Sequence, residues 1–485
     1  MASAFAGYPA PFIFDLPEGT KTQQLIWGDF VTLLAEDDGE WTKVRSRRTT
    51  GWMKKSDLQQ ERLLEVNFVD IGQGDGTFIV TPDDRFMLID AGESDNMFRF
   101  LNWRFNLRLH PDRVITIPTT VMTHPDQDHY KGLSNLFKSA QFQFESVYHS
   151  GLVERAGSPL LGPRIEHEGR RYCTEVILTD SAMRALLADP EKVGTRQYPK
   201  MLKAVVDAGR VNELRGLSAA DGHLPGFGTD QPLTIEVMAP VHEMVNGALA
   251  LRWFGDDGPT KNGHSVVLRF VYRNVSMLLG GDLNVPSEDY LLAHYTGMDP
   301  VDESVSDALV EAARPTFQAD VAKACHHGSA DFREVFLRCV NPTATIVSSG
   351  DNESHAHPRP DALGAIGKHG RGRRPLIFST ELARSTKENI KSPHRLREEI
   401  TELIAQVNTA PTESAREAAQ AKLGAALAQL ERSVAVYGLI NLRTDGVRAI
   451  LAQKLERPRP TTKEEWDVHR LEPDVNGELQ YVSKH

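Results

Sequence analysis

An apolar strand, Thr120-Val121-Met122, runs directly into Thr123-His124-Pro125-Asp126-Gln127-Asp128-His129 and then into a helical Tyr130-Lys131-Gly132-Leu133 stretch. Four side chains that can bind a metal, His124, Asp126, Asp128 and His129, fall within six residues. The carboxyl end of a buried strand opens onto the crevice where active sites form, and a turn entering a helix lets alternating side chains converge. Imidazole and carboxylate donors together suit a borderline or hard divalent ion. The competing reading, a solvated acidic turn, leaves the density of ligand types unexplained.

The same arrangement recurs at a distance. Phe86-Met87-Leu88-Ile89 ends in Asp90-Ala91-Gly92, Ser276 to Gly281 ends in Asp282, and Val321-Ala322-Lys323-Ala324-Cys325 ends in His326-His327-Gly328-Ser329. One such ending would be a strand cap, whereas several suggest a single polar rim. Side chains alternate along a strand, so Cys325 should face away from wherever His326 points, which makes it a core thiol and not a ligand.

The chain has 485 residues, 40% hydrophobic and 25% charged, which is ordinary globular usage. Its length allows about three domains. No apolar run approaches the roughly 20 residues that cross a bilayer, and the amino terminus shows no basic region followed by an apolar core. The expectation is a cytoplasmic protein with no membrane partner. Cys173, Cys325 and Cys339 are too few and too widely spaced for a disulfide framework or a CxxC zinc site. A formal net charge of −11 prevents the whole surface from attracting nucleic acid, so a phosphate-bearing substrate needs a local device.

Residues 1–60 read as a small all-β unit: Leu25 to Leu34 is an apolar stretch broken by Gly28-Asp29, an acidic turn follows at Asp37-Asp38-Gly39-Glu40, then Trp41-Thr42-Lys43-Val44 and Gly51-Trp52-Met53. This order resembles the bacterial SH3 domain, which implies either a peptide- or protein-binding module or a barrel packed on its neighbour. Residues 61–455 read as one α/β domain with strands at Leu64 to Asp70, Thr77 to Val80 and Leu233 to Met238, among others. A charged, glycine-rich and helical segment at about 152–227 is expected to be an insertion beside the core. A helical segment at about 411–436 precedes a hairpin at Tyr437 to Leu451, and residues 456–485 are expected to be a carboxyl-terminal extension.

Asp90 in LIDAG, the THPDQDH segment, LLGGDL, CHHGS and the later SSGDNESHAHP together resemble the metallo-β-lactamase fold. In detail they resemble the nuclease domain of ComEC-type DNA-uptake proteins, from about residue 63 to 380 and again at 437 to 452. The resemblance implies an αββα sandwich and two divalent metal ions, zinc or manganese. Asp126 stands where the common HxHxDH motif has its second histidine, as in the ComEC-like branch, which makes the donors richer in oxygen. On the matching positions His124 and Asp126 would hold one metal, Asp128 and His129 the other, and Asp282 would bridge them. His326 would complete the second metal, with His327 behind it or in exchanged roles. His149, which follows a short apolar strand, would complete the first or contact substrate. Asp90 would orient the cluster from behind, and His357 would protonate a leaving oxygen or hold a phosphate.

These roles imply metal-assisted hydrolysis with Asp128, Asp282 and His357 in the catalytic set. The favoured substrate is a phosphodiester, most plausibly DNA or another nucleic acid, with the dications supplying the positive potential that the net charge lacks. A smaller phosphoester, lactone or amide is an alternative substrate, because one site hosts many chemistries in this superfamily. A recruited binding or sensing protein with a vestigial metal site is the non-enzymatic alternative.

Overall fold

A computed structural model describes residues 2–47, 49–350, 355–381, 393–431, 438–455 and 458–483. Arg48, residues 351–354 of the SSGDNESHAHP stretch, the end of the helical segment from 432 and Tyr437 at the start of the expected hairpin lie outside them. The chain is α/β, with several sheets and helices.

The first sixty residues form a seven-stranded antiparallel sheet around Ala6, Ile13, Leu25, Val31, Val44 and Met53. Its strands include Phe30–Asp38, Trp41–Ser46 and Thr49–Lys54. The stretch from Leu25 to Trp27 is not part of a strand. It is buried, and Ile26 and Trp27 pack with Leu63, Ile450 and Ala452, tying this sheet to the rest of the molecule.

Two larger sheets follow. The first is ten-stranded, in the order Val211–Gly216, Phe142–His149, Ile115–Met122, Phe86–Ile89, Thr77–Val80, Leu64–Phe68, Ile440–Thr444, Ala449–Lys454, Trp466–Pro473 and Leu479–Val482. Its first four strands are parallel and the rest antiparallel. The second has six strands, Leu233–Ala239, Val267–Tyr272, Val275–Leu279, Val321–Lys323, Ala344–Val347 and Leu376–Ser379, with the last four parallel. Alternate residues of both sheets, among them Val66, Phe68, Ile79, Leu268, Phe270 and Ile346, meet in one core. Helices cover both outer faces: Asn96–Phe105, Leu133–Lys138, Asp180–Ala188 and Gln197–Asp207 on the first, and Val285–Thr296, Ser306–Phe317 and Glu334–Val340 on the second. The layers therefore run helix, sheet, sheet, helix.

Two segments are more integral than their composition suggests. The 152–227 segment supplies the edge strand Val211–Gly216 and two helices of the outer layer, because Met183, Leu186, Leu202 and Val205 recur at helical spacing and need an apolar face. Residues beyond 455 supply two strands of the large sheet, with Leu471 and Leu479 fully buried. Their alternation is hidden by half-buried polar residues such as Asp467 and His469. Among the described residues no helix is long and apolar enough to cross a membrane.

Candidate metal centre

The parallel strands of both sheets end on the same rim. The chain leaves Ile89 into Asp90, Met122 into Thr123-His124 and Leu279 into Gly280-Gly281-Asp282. Asp90, with φ of 54°, is fully buried and collects three donors: the Thr123 N–H at 2.8 Å, the Thr123 hydroxyl at 2.6 Å and His129 Nδ1 at 2.8 Å. His129 therefore carries its proton on Nδ1 and turns a lone pair on Nε2 toward the site.

The same accounting reads the other rings. His327 Nδ1 lies 3.1 Å from the Ser348 carbonyl oxygen, which can only accept, so Nε2 carries the lone pair. His124 Nδ1 sits between the hydroxyls of Thr123 and Ser265, at 3.1 and 3.2 Å. Those hydroxyls donate to Asp90 and to the Asn262 carbonyl, so His124 donates and its Nε2 is also a lone pair, buried without a hydrogen-bond partner.

Four lone-pair atoms converge. His129 Nε2 and His327 Nε2 are 3.3 Å apart, each is 3.2 Å from Asp282 Oδ2, and His327 Nε2 is 3.4 Å from Asp128 Oδ2. A tetrahedron with corners about 2.1 Å from its centre has edges of about 3.4 Å, the spacing of a zinc-like site; His129, His327 and Asp282 stand at that spacing, and Asp128 adjoins them on the His327 side. The electrostatics ask for a cation. Burial disfavours a charged imidazole in both rings, yet the Asp282 carboxylate, with Asp90 beside His129 and Asp75 beside His327, holds both well above the usual histidine range. Asp75, His129, Asp282 and His327 form a buried group that could hold a metal ion. Within it Asp75 faces the Nδ1 side of both rings, 4.0 and 3.3 Å away, and pairs with Lys323.

The position beside it is less complete. His124 Nε2 lies 3.7 Å from Asp126 Oδ2 and 3.8 Å from Asp282 Oδ2. Asp126 is also paired with the ammonium of Lys261, which reaches Glu154 at 2.9 Å. His149, expected to complete this position, has the wrong tautomer. Its Nδ1 accepts the Gly151 N–H at 3.0 Å, so Nε2 bears the hydrogen and offers a donor instead of a lone pair. Burial pushes its pKa down to about 4, which keeps the ring neutral.

The order of the histidine pair is also reversed from the favoured expectation. The strand stops at Lys323, and both His326 and His327 adopt left-handed backbone, φ 47° and 54°, so strand alternation no longer decides where they point. His327 enters the cluster, whereas His326 sits outside it with Nε2 3.4 Å from Asn262 Nδ2. Cys325 packs on the outer core, as expected, although the strand has already ended at Lys323. His357 is half-buried at the edge, its ring 5.6 Å from that of His326 and 6.3 Å from that of His327. Sequence reasoning missed Asp75, Lys261 and Lys323. Asp75 lies in the glycine-rich loop Gly72-Gln73-Gly74-Asp75-Gly76 between the strands Leu64–Phe68 and Thr77–Val80, seven residues past a strand end, so the strand-end rule that located Asp90 does not reach it.

No protein-family model matches the chain. It is 23% identical over 318 residues to ComE operon protein 3 of Bacillus subtilis (strain 168), a stretch covering 63% of this chain and 31% of that protein. The chain thus spans about a third of the length of the relative it matches.

Proposed function

We propose that the protein is a metal-dependent hydrolase of the metallo-β-lactamase superfamily, ComEC-type branch, acting on phosphodiesters, with DNA as the favoured substrate. The observation that carries this reading is the convergence of His129, Asp282 and His327 at 3.2 to 3.3 Å, with Asp128 3.4 Å from His327 and with three imidazoles, His124 among them, turning Nε2 toward the site. The helix–sheet–sheet–helix layering and the similarity to ComE operon protein 3 support it.

Asp128, His129, Asp282 and His327 would hold one dication, zinc or manganese, and His124, Asp126 and Asp282 border a second position. A dication there would neutralise charge on a phosphoryl oxygen and activate the attacking water. The chain's own groups do the rest. Asp90 fixes His129, and Asp75 with Ser348 fixes His327. His149 Nε2–H is a neutral donor for a substrate oxygen, and His357 at the edge is placed to hold a phosphate oxygen or give a proton to the leaving one. The amino-terminal sheet would be an SH3-like unit, and the protein would work in the cytoplasm.

The test is a substrate panel of single- and double-stranded DNA, RNA, bis-p-nitrophenyl phosphate and a β-lactam, with manganese or zinc added after chelation. Metal-dependent DNA cleavage lost in a His129→Ala/Asp282→Ala variant is expected. Full activity in that variant, or turnover of the β-lactam alone, overturns the reading.

A further inference from the structure

Strands covered on both faces ordinarily carry apolar residues on each side. The middle of the ten-stranded sheet departs from this on its outer face. Strands Leu64–Phe68 and Ile440–Thr444 set Asn67 opposite Asn441 and Glu65 opposite Arg443, and all four residues are at most 4% exposed. They line a cavity of about 750 Å³ whose walls also come from the end of the helix Asn96–Phe105 and from the amino-terminal sheet. None of its lining residues belongs to the metal-ligand cluster.

The charges around this cavity are unequal. Glu65 pairs with Arg104 and Arg443 at 2.8 and 3.1 Å, and Arg443 reaches Asp29 at 3.4 Å. Arg45, Arg47, Arg108 and Lys454 line the same space, and Glu465 is the one further carboxylate among the described lining residues. Among the described lining residues cations outnumber carboxylates, in a chain of net charge −11. Two floor donors, Asn441 Nδ2 and Arg443 Nε, are buried without an acceptor, which is costly unless a partner fills the place. Aromatic rings are present as well: the Arg47 guanidinium lies 3.8 Å from the centre of the Trp103 ring, and Lys454 Nζ is 5.8 Å from that of Trp466.

We propose that this cavity binds a nucleotide-sized phosphate ester at a site separate from the metal centre. Guanidinium forks match phosphate oxygens, indole rings offer a stacking face to a planar base, and carboxamides on the floor can meet its polar edge. The volume falls in the range of sites for small organic ligands and far exceeds what an inorganic anion fills.

The test is calorimetry and tryptophan fluorescence on the full chain after chelation of metal, titrated with adenosine 5′-monophosphate, with inorganic phosphate and adenosine in parallel. The nucleotide is expected to bind at least about tenfold more tightly than either fragment. An Arg45→Glu/Lys454→Glu variant should weaken it at least tenfold, and Trp103→Phe should remove most of the fluorescence change while calorimetric binding persists. A His129→Ala/Asp282→Ala variant should bind as the wild type does. Absence of binding, indifference to the Arg45/Lys454 change, equal affinity for inorganic phosphate, or loss in the metal-centre variant would each overturn the proposal. No turnover is measured, so the outcome is independent of the hydrolase reading.

Discussion

Neighbouring residues of the same type take opposite roles here, and hydrogen-bond bookkeeping separates them. His326 and His327 are adjacent, yet only His327 presents a lone pair to Asp128, His129 and Asp282. Substituting His327 by Ala is expected to abolish retention of the metal and reduce hydrolysis at least 100-fold, whereas His326→Ala should keep the metal, as elemental analysis of dialysed protein will show. His149 differs from His124, His129 and His327 in tautomer, its Nδ1 accepting the Gly151 N–H. In the metal-loaded protein, nitrogen-15 NMR of the imidazoles should find His149 protonated on Nε2 and the other three on Nδ1, and an Nδ1-protonated His149 would return it to the ligand set. Lys261 competes with any cation for Asp126. One ion per chain should therefore be held tightly and a second weakly, with Lys261→Met tightening the second at least about tenfold in a metal titration. The sequence announced His124, Asp126, Asp128 and His129 by density, but gave no sign of Lys261 and Lys323, because nothing local shows that their ammonium groups meet carboxylates.

At the scale of elements, the site depends on strand ends and on the loops packed between them. Gly74, with φ of 98°, lets the loop before Asp75 lie against the Asp128 carbonyl, and a β-carbon there would collide with that group. Gly74→Ala is expected to cost about 1–3 kcal/mol of stability in denaturant unfolding, and to weaken metal retention because Asp128 must move. An unchanged metal content would show that the loop is not what places Asp128. The strand endings at Asp90 and Asp282 were legible because an apolar run stopping at a ligand type is a local pattern. The order of His326 and His327 was not, because it depends on two consecutive left-handed residues that no propensity favours.

Across the whole molecule, Glu65 joins three parts: Arg104 on the outer helix, Arg443 on a late strand and, through Arg443, Asp29 of the amino-terminal sheet. Burial alone would raise its pKa, but the two guanidiniums bring it from 4.5 to about 2. A carboxyl depressed in the folded state stabilises above its unfolded pKa and loses that contribution as pH falls toward the folded value. Wild type should therefore lead Glu65→Gln by on the order of 3 kcal/mol more at pH 6 than at pH 2, as urea unfolding across that range will measure. Truncation after residue 455 removes the strands carrying Leu471 and Leu479 from the inter-sheet core. The truncated chain should melt at a lower temperature than the full chain, and an unchanged melting temperature would show that these strands are dispensable.

The sequence by itself determined the α/β character, the strand ends that gather on one rim and most of the residues found there, because alternation, apolar runs and ligand types are written locally. Tertiary structure alone decided which of two adjacent histidines enters the cluster, that His149 offers a proton where a lone pair was expected, and that Asp75 and two lysines stand among the carboxylates. It also decided that the last strands belong to the large sheet and that polar pairs on its outer face enclose a cationic cavity. Each of these depends on which atom of a distant residue supplies a hydrogen bond, a charge or an apolar face, and that is set only when the two sheets, the helices and the amino-terminal unit have packed together.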